Sequence, residues 1–153
     1  MKSREYFIRS VVLVVIAVLI VSCAKKPYRP KKDEPLYGVW VNENYNELSE
    51  NAKYIYNPDG KGLGYEKTTD PEPKKISRFT IEEKWTDKEG NIYYRVLAKW
   101  ARPPYEELYA SLWYVSVKIH PSGDVMEVVA SKDKYYEEVK PDVIGWYMIH
   151  YRQ

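Results

Sequence analysis

The sequence predicts an all-β domain, an antiparallel up-and-down barrel of about eight strands. Three observations carry that expectation: short apolar runs with period two, Gly-containing turn clusters between them, and little helical periodicity. In order, the runs are 38–42 (GVWVN), 53–57 (KYIYN), 62–67 (GLGYEK), 76–84 (ISRFTIEEK), 91–100 (NIYYRVLAKW), 112–119 (LWYVSVKI), 124–131 (DVMEVVAS) and 144–152 (IGWYMIHYR). Alternation is clearest in the fifth, where Ile92, Tyr94, Val96, Ala98 and Trp100 share one face and Arg95 and Lys99 the other. In the sixth, Trp113, Val115, Val117 and Ile119 face one way. Such strands are half-buried and antiparallel. Asn57-Pro58-Asp59-Gly60, Asp87-Lys88-Glu89-Gly90-Asn91 and Pro121-Ser122-Gly123-Asp124 each predict a hairpin, the first with a type I′ turn. Short links between about eight consecutive strands suit a barrel, because a sandwich needs longer Greek-key crossovers. Single helical turns are expected at Tyr105 to Leu108 and at Lys134 to Val139.

The N-terminus reads differently. Residues 11–21 are continuously apolar, and eleven residues are too few for a hydrocarbon core that takes roughly 20 residues of helix. Preceded by Lys2, Arg4 and Arg9, the run has the form of a secretory signal. Ile20-Val21-Ser22-Cys23 follows and resembles the bacterial lipobox. That resemblance implies a signal peptide over 1–22, cleaved before a lipidated Cys23, and a protein held in the bacterial cell envelope by acyl chains. Ala24 stands where an Asp would imply inner-membrane retention in enteric bacteria, so the outer membrane is favoured. Residues 23–35 (CAKKPYRPKKDEP) form the lipid attachment and a Lys/Pro-rich tether, and 36–153 the barrel domain. Cleavage removes three basic residues and Glu5, leaving 21 Lys and Arg against 21 Asp and Glu. No basic field remains for a nucleic acid. With the one cysteine lipidated there is no thiol for a disulfide or a cysteine-zinc site.

A second resemblance lies at the two ends of the domain. Gly38-Val39-Trp40 opens the first strand and Arg152 closes the last, which together resemble the lipocalin, or calycin, pattern. It implies that Trp40 plugs the barrel base and Arg152 packs across the indole, with Gly38 alongside as part of the closure. The run from Trp85 to Tyr94, WTDKEGNIYY, is also similar to small lipocalin-like lipoprotein domains of bacteria. Thr69-Asp70 and Thr86-Asp87 both come too early to serve as the family's middle Thr-Asp motif.

Catalytic and metal chemistry finds little footing. Asn57, Asp59, Gly60 and Glu66 match a calcium loop in part, but Ile55 stands where its first Asp belongs. Gly60, Gly62 and Gly64 lead into a strand and not into a helix N-terminus that could cradle phosphate. His120 and His150 are the only histidines, and each reads as structural or surface. Glu82-Glu83, Glu106-Glu107 and Glu137-Glu138 are adjacent pairs that point apart on a strand. The expectation is therefore a protein that is not an enzyme and carries no metal or cofactor. Its unusual feature is aromatic load, fifteen tyrosines and five tryptophans in the mature chain. Tyr and Trp combine rigid apolar area with a hydrogen-bonding tip, which suits binding surfaces. Tyr54, Tyr56, Tyr65, Tyr93, Tyr94 and Trp113 are the candidate ligand-binding residues. Two roles follow as expectations: a barrel holding a small apolar or aromatic ligand, or a module with a filled core that engages a protein or polysaccharide through its outer face.

Overall fold

The computed structural model describes residues 27–42, 52–101, 111–141 and 145–153. These contain eight strands: β1 (Gly38–Asn42), β2 (Lys53–Tyr56), β3 (Lys61–Tyr65), β4 (Lys75–Thr86), β5 (Ile92–Ala101), β6 (Ser111–Ile119), β7 (Val125–Ser131) and β8 (Trp146–Arg152). Each pairs antiparallel with the next, and β1 closes on β8 through Trp40 opposite Arg152 and Asn42 opposite His150. The expected closed, eight-stranded up-and-down barrel is the fold. Closure removes both free edges that an open sheet of these strands would expose. The expected signal peptide, Cys23 and the residues as far as Lys26 lie outside the described residues, as does the helical turn expected at Tyr105 to Leu108.

Alternation does the work anticipated for it. Trp40, Tyr54, Tyr56, Phe79, Ile81, Tyr94, Val96, Val115, Val117, Ile119, Met126 and Val128 form one buried cluster filling the interior. Glycine shapes the third wall, since a Cβ on Gly62 would lie 2.2 Å from Ser77 Oγ and one on Gly64 3.3 Å from Tyr54.

Three hairpin turns gather at one end, here the base, together with the start of β1 and the end of β8. In each, a carbonyl accepts from the N–H of a glycine three residues on: Asn57 from Gly60, Asp87 from Gly90 and His120 from Gly123. The glycines have φ of 78°, 87° and 80°, and no other residue type has positive φ among those described. Type I turns closed by a left-handed glycine result. The expected type I′ turn at Asn57 is corrected accordingly, because it needs positive φ at its first central residue and Pro58 is locked near −65°.

Two departures from simple alternation matter. Between Ile81 and Glu83 the register with β5 slips by one residue, so Glu82 is an inserted residue and the inward set changes parity. Lys84, opposite the inward Tyr94, is thereby turned into the base. Glu82 and Glu83, expected to point apart, both serve the outer wall: Tyr135 Oη donates to Glu82 at 2.8 Å and Arg95 pairs with Glu83 at 2.9 Å. The second departure is the connection after β7. Instead of the helical turn expected at Lys134 to Val139, residues 132–141 form an irregular strap along the outer wall. Tyr136 N–H donates to Ser116 Oγ on β6, and Tyr135 packs edge-on against Tyr114. This cover explains why Ser116 and Val129 are buried although they point out of the barrel.

Candidate functional site

The base is sealed by the chain that precedes β1. Trp40 is fully buried, and its indole N–H donates to the Leu36 carbonyl at 2.9 Å. The Arg152 guanidinium lies over that indole, 4.6 Å from the ring centroid. It also donates to the carbonyls of Gly123, at 3.0 Å, of Tyr37, at 3.4 Å, and of Pro35. One side chain therefore ties the end of β8, the β6–β7 turn and the entry to β1 together, adding a cation–π contact to its hydrogen bonds. Gly38 is required beside it: its φ is 130°, and a Cβ there would stand 3.4 Å from the Arg152 Nη1.

Glu34 completes the seal. The segment containing it was expected to be a free tether, yet Glu34 is 3% exposed and holds four donors. They are Lys84 Nζ at 2.6 Å, Tyr94 Oη at 2.9 Å, the Lys31 amide at 3.0 Å and Tyr28 Oη. Burial alone would raise the carboxyl pKa, but these donors outweigh it and hold the value down at about 2. Burial and the neighbouring Glu34 charge push the Tyr28 and Tyr94 hydroxyls up, so both stay protonated as donors. Tyr28 also packs on the core cluster. Residues 28–36 are thus part of the folded body, and the bulge at Glu82 is what brings Lys84 to them.

Toward the far end the inner wall changes character. Inward residues near the base, Trp40, Tyr94, Ile119 and Met126, are completely buried, whereas Trp100, Trp113 and Met148 are partly exposed and Trp146 is 60% exposed. The tryptophans make two aromatic pairs. Tyr54 meets Trp100 edge-on at 5.2 Å, and Trp113 meets Trp146 at 5.8 Å. Trp113 is oriented by its Nε1–H, which donates to Ser111 Oγ at 2.8 Å, and Lys132 Nζ lies 5.3 Å from its ring. Tyr54 also contacts the His150 ring at 5.7 Å. His150 is 1% exposed, and among the described residues neither ring nitrogen has a hydrogen-bond partner. Burial lowers its pKa to about 4, so the imidazole is neutral. Ser77 Oγ, on the inner wall opposite Trp100, is likewise buried without a partner.

The sequence candidates divide three ways. Tyr54 and Trp113 belong to this far-end aromatic set. Tyr56 lies deeper against Phe79 at 5.3 Å, and Tyr94 is committed to Glu34 at the base. Tyr65 and Tyr93 point outward, Tyr65 under the Lys53 ammonium at 4.1 Å and Tyr93 stacked on Trp85 at 5.2 Å. Trp100, Trp146 and His150 were missed as site residues. Period two in the last run already puts Trp146, Met148 and His150 on one face, and that was the available signal. His120, outside the barrel, sits 2.7 Å from Glu127. No protein-family model, curated protein or solved structure significantly matches this chain.

Proposed function

We propose that this protein is a calycin-like bacterial lipoprotein, anchored in the envelope through lipid on Cys23, whose barrel takes one small apolar or aromatic molecule at its far end. One observation carries the binding reading. Aromatic side chains that face the barrel axis are fully buried at the sealed base and become accessible toward the opposite end. Accessible inward aromatics give a ligand apolar area and rigid edges at little conformational cost. The outer membrane is the favoured location, from Ala24 after the cysteine.

Binding is tested by titrating the full chain in detergent with an environment-sensitive apolar dye, read against protein-free micelles. Saturable one-to-one binding that cell lipid extract displaces is the expected result, weakened by Trp113→Ala. Absence of any saturable component overturns the reading. Anchoring is tested separately, by incorporation of labelled palmitate that Cys23→Ser abolishes. A second reading, engagement of a protein or polysaccharide, draws on the outer wall. There Trp85, 38% exposed, stacks on Tyr93 within reach of Arg95. Trp85→Ala would weaken such an interaction while leaving dye binding unchanged.

A further inference from the structure

The ligand-binding reading leaves the chemical class of the ligand open, and the inner wall narrows it. A neutral imidazole presents one donor and one acceptor nitrogen, and at His150 both are buried and unmet among the described residues. Buried polar groups are normally satisfied, and an orphaned pair on the wall of a binding barrel marks a place where a partner belongs. Two inward cations are committed at the base. Arg152 is clasped to Trp40 and three carbonyls and Lys84 to Glu34, while Lys132 lies at the exposed rim against Trp113. A carboxylate or phosphate carried down to His150, 1% exposed, would leave the water that solvates it at the rim, and burying that charge beside a neutral imidazole is costly.

Resting on the reading above, we infer that His150 is the polar anchor of the site and that its ligand is an uncharged, largely aromatic molecule with one hydroxyl group. A hydroxyl both donates and accepts, so it can engage either nitrogen in either tautomer. Tyr54 stands between the two features the ligand needs, its ring meeting His150 on one side and Trp100 on the other. The aromatic body packs toward Trp100 and Trp113 while the hydroxyl reaches inward past Tyr54.

The test pairs 2-naphthol with naphthalene on the full chain carrying ¹⁵N-labelled histidine, in detergent, with affinities corrected for partition into protein-free micelles. 2-Naphthol is expected to bind about tenfold more tightly, the worth of one good hydrogen bond. It should move the His150 imidazole nitrogen resonances and leave those of His120 unchanged. His150→Phe should remove the preference for 2-naphthol. The resonance shift is read in the unaltered protein, so the test does not depend on that variant folding. Equal binding of both probes with His150 unmoved overturns the anchor and leaves the binding barrel standing, as it would if an ordered water satisfied the imidazole. Saturable binding of neither probe overturns the barrel reading itself.

Discussion

Trp40 and Arg152 act as one joint, and their energetics should show it. Trp40→Ala is expected to cost about 3 to 5 kcal/mol as a large-to-small core change. Arg152→Ala should cost less, and the double variant should differ from the sum by roughly 0.5 to 3 kcal/mol because the side chains touch. Urea denaturation of all four proteins measures this, and strict additivity would mean that the ring contact contributes nothing. Two buried residues contribute to the acid response. The folded His150 pKa, about 4, lies below the unfolded value of about 6.5. The unfolded chain therefore takes up a proton first, and stability falls between pH 6.5 and 4, on the order of 3 kcal/mol in all. The folded Glu34 pKa, about 2, lies below its unfolded value of about 4.3, so its contribution is complete above that value and is lost as the pH falls toward 2. Both slopes have the same sign. Denaturation midpoints at pH 7.5, 5.5 and 4.5 should decline steadily, and His150→Phe should flatten the upper part of that decline.

At the level of elements, the base turns invite comparison. Gly123 has nothing within 4 Å of an added Cβ, while at Gly60 that atom would lie 3.0 Å from the Phe79 carbonyl. Gly123→Ala should therefore cost only its left-handed conformation, roughly 1 to 2 kcal/mol, and Gly60→Ala distinctly more. Equal losses in urea would show that the Phe79 contact relaxes freely. These turns were legible in the sequence because only glycine adopts that conformation cheaply, and the strands because one wetted face keeps their alternation clean. The bulge was not legible. Glu82 and Glu83 are both polar, so an inserted residue there leaves no trace in the pattern, although it decides that Lys84 faces inward. The strap was hidden for a related reason: Tyr135, Tyr136 and Val139 resemble part of a helical face, and only the sheet wall beneath them makes an irregular path favourable.

Across the whole molecule, closure was legible because eight short strands with short links have few other ways to bury one face each. The site was legible only in part. Tyr54 and Trp113 are placed by alternation, but Tyr65 and Tyr93 carry the same residue type on the opposite face, and nothing in composition separates a wall from its outside. The segment before β1 was read by its lysines and prolines, which hid the one carboxylate that docks it. Deleting residues 1–35 should accordingly lower stability by roughly 2 to 4 kcal/mol, through the orphaned partners of Glu34 and the lost Pro35 contact of Arg152. A free spacer would leave the urea midpoint unmoved. That docking has a geometric consequence for a lipid-anchored protein. From Cys23 to Tyr28 is five residues, which even fully extended span at most about 18 Å. On the anchored reading so short a leash would keep the plugged end near the bilayer and turn the tryptophan end toward the opposite space. A ligand entering at that end would then come from across the compartment and not from the membrane underfoot.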